Sequence, residues 1–200
     1  MASVDFFFGT GSRYSYLAST RVSLIEAETG ATVRWRAVYS PEVIRRAGAD
    51  PFAAGALRGQ YLSAYRTRDA TRWARLFGVP YSEPDFAATD WRQIALWAVA
   101  TDLVGDGAAF GAAVLNATFA RGAPPQSEGA LTAVADDTGV PPSLIIELVK
   151  TGAAQEAHEQ NVRDVLSAGG FGVPTFVVDD GEVFWGQDRI PLLVHHLLTR

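Results

Sequence analysis

The sequence predicts an α/β fold in which a small β-sheet is divided along the chain by a large all-helical insertion. Three observations carry this. Residues 4–39 contain two short β-branched and aromatic runs separated by a helical pattern. Residues 41–168 hold alanine-rich amphipathic segments broken by Gly and Pro, with no clear strand. Residues 172–199 return to two apolar runs around Asp180-Gly181 and close on an amphipathic helix. A stretch as long as 41–168 cannot be a loop within a small sheet, so it forms an inserted helical domain, and residues 1–40 and 169–200 together form a discontinuous sheet-bearing domain.

Taken in order, Val4 to Phe8 is a short buried strand that breaks at Gly9-Thr10-Gly11-Ser12. Tyr14, Leu17, Ala18, Arg21, Val22, Leu24 and Ile25 then recur with helical spacing, and Gly30 stops the helix. Ser12 falls at or next to its N-cap, where a hydroxyl meets the first free backbone N–H groups. Thr32 to Tyr39 alternates as a second strand and completes a β-α-β unit. The insertion divides into helices at Pro41 to Arg46, Phe52 to Phe77, Trp91 to Val104, Gly107 to Arg121, Ser127 to Thr138, Pro142 to Lys150 and Ala153 to Ala168. Pro174 cannot donate to a ladder, so it opens the next strand and can be cis there. A cis bond at that point turns the N–H and C=O of Val173 outward, free to pair with an extended ligand. Asp180-Gly181 suits a type I′ turn with φ > 0 at both positions. Ile190 to Thr199 is the last helix, with Leu192, Leu193 and Leu197 on its apolar side. The order β-α-β, helices, β-β-α is that of a thioredoxin-like fold with an insertion between its halves.

Composition narrows the chemistry. With 17 basic and 22 acidic residues the net charge is -5, which argues against a general nucleic-acid surface. There is no cysteine, which removes disulfides, thiolate metal sites and a dithiol oxidoreductase mechanism; a reacting thiol must come from a bound molecule. No run approaches the roughly 20 apolar residues of a membrane span, and the N-terminus lacks a signal-peptide pattern, so a cytoplasmic location is expected. No carboxylate or histidine cluster has metal spacing, and no metal is expected. His195 and His196 are expected to lie at the surface. Trp73, Trp91 and Trp97 divide between core and an aromatic pocket, and Arg66, Arg68, Arg72 and Arg75 fall on one solvated helix side.

Three segments then carry a resemblance. Val4-Asp5-Phe6-Phe7-Phe8 leading to Ser12-Arg13-Tyr14-Ser15-Tyr16-Leu17-Ala18, the stretch Arg68 to Ala74, and Phe171-Gly172-Val173-Pro174-Thr175-Phe176 followed by Phe184-Trp185-Gly186-Gln187-Asp188-Arg189-Ile190 resemble, in that order, the family of 2-hydroxychromene-2-carboxylate isomerases and kappa-class glutathione transferases, within the DsbA-like thioredoxin superfamily. The resemblance implies glutathione, or a related low-molecular-weight thiol, as cofactor. It implies that Ser12 hydrogen-bonds the glutathione sulfur, that the Val173 backbone beside cis-Pro174 pairs with the cysteinyl unit, and that Gly186, Gln187 and Asp188 form the loop holding the γ-glutamyl end. It also implies a homodimer and an aromatic or unsaturated-ketone substrate, in an isomerase or a glutathione transferase.

The departures from that pattern fall on the substrate side. Arg13 stands where the family has proline; it either brings a positive charge to a thiolate or substrate carboxylate, or is a solvated residue on the first turn. Ala49-Asp50-Pro51 replaces a Gly-Asn-containing loop, so that Asp50 faces the substrate in place of an amide, and Leu62 replaces an expected lysine. A binding module that keeps the fold without turnover is the alternative that these changes suggest.

Overall fold

A computed structural model of the chain describes residues 1–48, 59–105 and 107–200. Its sheet has four strands, β1 (Ser3–Phe8), β2 (Thr32–Ala37), β3 (Thr175–Val178) and β4 (Val183–Trp185), in the order β2-β1-β3-β4. β1 runs parallel to β2, with Phe6 opposite Trp35, and antiparallel to β3, with Phe6 opposite Phe176. Alternation along β1 divides its side chains between two faces. Val4, Phe6 and Phe8 enter the large apolar cluster with Leu17, Trp97, Phe110, Leu115 and Phe119, while Phe7 joins Val38, Val43, Val162 and Val165 on the other face. This is the thioredoxin-like fold with a helical insertion expected from the element order.

The first helical pattern is interrupted, whereas a single helix was expected up to Gly30. α1 (Arg13–Ser19) and α2 (Val22–Thr29) part at Thr20-Arg21. There the Ser19 hydroxyl donates to Tyr16 O at 2.7 Å and the Thr20 hydroxyl to Leu17 O at 2.7 Å, so side chains compete for the carbonyls of the last turn. Gly30 does end α2, in the left-handed conformation with φ 68°.

The insertion places α3 (Ser40–Arg46), α4 (Ser63–Phe77), α5 (Trp91–Leu103), α6 (Gly107–Phe119), α7 (Glu128–Asp137), α8 (Pro142–Lys150) and α9 (Ala153–Ser167) between β2 and β3. The helix expected from Phe52 begins only at Ser63, after a 3-10 turn at Gly59–Tyr61; residues 52–58 lie outside the described residues.

The β3–β4 connection differs from a type I′ turn. Gly181, with φ 94°, is left-handed, but Asp180 is not. Gly181 N–H donates to Val178 O and Val178 N–H to Glu182 O, both at 2.9 Å, the pattern of a type I turn followed by a glycine bulge. Asp180 avoids the Cβ penalty of positive φ and uses its carboxylate to accept the Glu182 N–H at 3.1 Å. In α10 (Ile190–Thr199), Ile190, Leu193 and Leu197 are buried, but Leu192 is 55% exposed, because the helical period turns it away from the stripe that Leu193 and Leu197 share. Among the described residues no helix is long and apolar enough to cross a membrane.

Candidate active site

The loop between β1 and α1 is fixed by its own serines. Ser12 is the N-cap of α1, with an extended backbone and its Oγ accepting the Ser15 N–H at 3.2 Å. Fully buried Ser15 in turn accepts the Gly9 N–H through its hydroxyl at 3.1 Å, and the Ser12 N–H donates to Gly9 O at 3.0 Å. Acting as acceptor toward Ser15, Ser12 keeps its hydroxyl proton to donate. The N–H groups of Arg13 and Tyr14, at the head of the helix, have no partner among the described residues.

Gly9 is where the two ends of the chain meet. A Cβ there would stand 3.1 Å from Ser40 Oγ and 3.2 Å from Val173 Cγ2, so the Ser12 loop, the start of α3 and the residue before Pro174 converge on one glycine. The Val173–Pro174 bond is cis, and the Val173 N–H and C=O have no partner among the described residues. On the far side of Pro174, Thr175 is buried and its hydroxyl donates to Gly172 O at 2.8 Å, while Gly186 N–H donates to Pro174 O at 2.9 Å. Gly186, with φ 109°, leads into a 3-10 turn at Gln187–Arg189 that packs on α1. The positive φ of Gly186 is a conformation that L side chains rarely adopt, and a Cβ there would also meet Asp188 Oδ1, so this close turn favours glycine. Gln187 is 5% exposed, and Asp188 is paired with Arg189 at 3.0 Å.

Beside the loop lies a cavity of about 260 Å³ lined by Thr10, Gly11, Tyr39, Ser40, Phe86 and Trp91, among others. Its wall is aromatic. Trp91 lies against Gly11, where a Cβ would be 2.9 Å from the indole, and Phe86 lies 5.6 Å from Trp91. A larger open depression of about 480 Å³ lies along β2 near Asp102 and Asn161, lined by none of the residues around Ser12 or Val173.

Arg13 is not solvated. At 4% exposure, its guanidinium pairs with Glu83 at 2.6 Å, donates to Thr67 Oγ1 at 3.3 Å and sits 5.3 Å over the Phe86 ring. Around it, Tyr81 donates to Glu83, and Tyr14 donates to Asp69 at 3.0 Å. Burial, reinforced by these acidic acceptors, holds both phenols well above the ordinary tyrosine range. Arg66 joins the same cluster, its pKa lowered first by burial and then by the charge of Arg13. Arg68, Arg72 and Arg75 are exposed as expected, but Arg66 is not one of that solvated face. Trp97 is core, Trp73 packs on Phe77, and Trp91 lines the cavity. Ala49, Asp50 and Pro51 lie outside the described residues.

Several residues here carry no signal in the sequence. Glu83 and Phe86 belong to an irregular connector. His158, on α9, is fully buried and accepts the Tyr39 N–H through Nε2 at 2.9 Å, which assigns its proton to Nδ1. Ser12 at the N-cap, Val173 beside cis-Pro174 and Trp91 as a pocket aromatic are the site residues that the sequence does mark.

A family model described as a DSBA-like thioredoxin domain matches residues 3–198. The chain belongs to the DSBA-like thioredoxin family, and within it to the group of the 2-hydroxychromene-2-carboxylate isomerases. It is 30% identical over 199 residues to the 2-hydroxychromene-2-carboxylate isomerase of Sphingobium xenophagum, covering 98% of each chain. To the enzyme of the same name from Pseudomonas putida it is 29% identical over 190 residues, covering 95% of this chain and 91% of the other. The structure of a 2-hydroxychromene-2-carboxylate isomerase superposes with a TM-score of 0.82 at 27% identity, over 98% of this chain and 94% of that one. A cytosolic disulfide reductase from Pseudomonas aeruginosa, at 17% identity and a TM-score of 0.66 over 98% of each chain, shares the fold.

Proposed function

We propose that the protein is a glutathione-dependent isomerase of 2-hydroxychromene-2-carboxylate or a closely related aromatic unsaturated ketone. The observation that carries this reading is the convergence on Gly9 of the Ser12 loop and the unpaired Val173 backbone beside a cis peptide bond. One segment offers a hydroxyl donor and the other an open main-chain donor and acceptor, a pair of features that fits a short thiol-bearing peptide. Gly186, Gln187 and Asp188, tied to Pro174 through the Gly186 N–H, stand at the remaining end. The kinship with 2-hydroxychromene-2-carboxylate isomerases supports the choice of reaction and substrate.

Bound glutathione supplies a nucleophilic thiolate, which these 200 residues, without cysteine, do not contain. Ser12 acts on it as a donor. Its hydroxyl proton and the head of α1 both favour negative charge at the sulfur position, and the Ser15 N–H holds Oγ in place. Together they lower a free thiol pKa of about 8.5 by about one unit or more, each unit being roughly 1.4 kcal/mol. Phe86 and Trp91 take the aromatic ring of the substrate and exclude water from it.

Titrating the thiolate absorbance of glutathione bound to the protein tests this. The wild type brings the thiolate out at lower pH than free glutathione, and Ser12→Ala raises that midpoint by about one unit. Tyr14 and Tyr81 stay protonated through this range and do not obscure the signal. Identical titrations in the two proteins would remove Ser12 from the mechanism, and absence of turnover with 2-hydroxychromene-2-carboxylate would remove the substrate.

A further inference from the structure

Ser12 is followed by a charged residue whose side chain leaves the sulfur end altogether. The Arg13 guanidinium crosses to the connector between α4 and α5 and engages it twice: through the ion pair to Glu83 at 2.6 Å and through the face of Phe86 at 5.3 Å. Thr67, on α4, takes another of its N–H groups, and Thr67 is itself fixed by donating to Ser63 O at 3.1 Å. Residues 78–90 contain no helix or strand, and two other hydrogen bonds that tie the connector to the rest of the molecule, the Tyr16 hydroxyl to Pro80 O at 2.6 Å and the Ser82 N–H to Phe119 O at 2.7 Å, lie upstream of Glu83 and Phe86. Yet it supplies Phe86, and it accepts the indole N–H of Trp91 at Phe86 O, at 3.0 Å. Phe86 and Trp91 are the aromatic wall of the cavity beside Ser12.

We propose that Arg13 is a positioning residue that clips residues 81–86 to the first turn of α1 and so shapes the acceptor wall for the substrate, while leaving the thiol end alone. Its place in catalysis rests on the isomerase reading; its mechanical role does not. A buried arginine is suited to this. With 4% exposure it needs an anion and fixed acceptors, and its planar fork can meet both while its face covers a ring. Glu83 in turn cannot relax away, because its second oxygen already accepts the Tyr81 hydroxyl. The pair ties the direction of Phe86 to the same turn that presents Ser12.

The test reads the wall directly. The indole N–H signal of Trp91, identified by its loss in Trp91→Phe, is followed by nuclear magnetic resonance in the wild type, Arg13→Met and Glu83→Gln. Freeing the connector exposes the bond to Phe86 O, and both substitutions accelerate hydrogen exchange of that indole at least tenfold while the α5 amides exchange as before. In the isomerase assay the same substitutions raise KM for 2-hydroxychromene-2-carboxylate about tenfold, with kcat and the glutathione Kd within twofold. Unchanged indole exchange in a folded Arg13→Met protein overturns the clip. An upward move of the thiolate midpoint in Arg13→Met, with KM unchanged, also overturns it and places the guanidinium at the sulfur instead. If wild-type protein shows no isomerase activity, the exchange measurement still decides the clip, and the fault lies with the reaction assigned. Should Arg13→Met fail to fold, Glu83→Gln, which keeps the shape but removes the charge and replaces one of the two acceptor oxygens with a donor NH2, gives the same readout.

Discussion

His158 shows how a single side chain links pH to this fold. Its imidazole is fully buried, and burial lowers its pKa below the ordinary histidine value of 6.5; Arg92 and Arg46 push the same way, while Glu42 and Glu159 oppose. Protonation would also turn Nε2 from an acceptor into a donor facing the Tyr39 N–H. The unfolded chain therefore binds a proton near pH 6.5 that the folded chain refuses. Stability from this group is complete above about pH 6.5 and is lost as pH falls toward the folded pKa, at no more than about 1.4 kcal/mol per pH unit. Urea denaturation between pH 7.5 and 5.5 should show this slope in the wild type and a flatter one in His158→Gln, which can still accept the Tyr39 N–H. Equal slopes would mean that His158 charges freely. The carboxylates of Asp179 and Asp180, whose pKa values are lowered by hydrogen bonds from Arg200 and from the Glu182 N–H respectively, matter only at more acid pH. None of this is legible in the sequence. A lone histidine in an alanine-rich helix has no local mark of the Tyr39 N–H it accepts, just as Arg13 carries no sign of Glu83, seventy residues away in a loop.

At the level of the element, local chemistry marks ends better than interiors. Ser12, Ser127 and Asp90 cap α1, α7 and α5 through side-chain acceptors, and Gly30 and Gly78 end α2 and α4 with left-handed backbone, all from residue types that signal these roles in sequence. The break after Ser19 and the glycine bulge at Gly181 were missed because both depend on which of several acceptors a hydroxyl or carboxylate selects. Helix packing is illegible too, and α6 gives a direct test of it. A Cβ on Gly111 would lie 2.8 Å from Phe8 Cζ and 3.1 Å from Trp35, both rings held within the aromatic group around Phe6. Gly111→Ala should cost about 1–3 kcal/mol by overpacking, more than the roughly 1 kcal/mol that alanine gains in a helix. Gly129→Ala, at an exposed position of α7 with its nearest neighbour 4.0 Å away, should instead gain up to about 1 kcal/mol. Chemical denaturation of the two variants checks the opposite signs.

For the molecule as a whole, the division of the chain and the division of the core do not coincide. Phe6, Phe8 and Phe176 from the sheet share one apolar cluster with Trp97, Phe110, Leu115 and Phe119 from the insertion. α5 and α6 lie on β2, and α1 packs on α4 and α6. Removing the helices would expose the sheet on that face, and removing the sheet would expose the helices. Thermal unfolding should accordingly be a single transition, with equal calorimetric and van't Hoff enthalpies. Two resolved transitions would show that the inserted helices melt as an independent unit. The sequence reveals the order of elements clearly, because turn residues and periodicity change character near residues 40 and 170. Which faces merge into one core depends on pairings across more than a hundred residues, and no local pattern encodes them.

Gly9 has a consequence for how such a protein can change. Three segments that are remote in sequence meet there so closely that a methyl group would require Ser40 or Val173 to give by a few tenths of an ångström. Substitutions at Ser40, Val173 or Gly9 are therefore not independent: each alters the space left to the other two, and the Ser12 loop is coupled through them to the residue before Pro174. The aromatic wall is constrained differently, Trp91 by its close approach to Gly11 and Phe86 by the side-chain links to Arg13 and Glu83. Changes in the connector can therefore reshape the part of the wall that Phe86 forms while leaving the packing around Gly9 as it is.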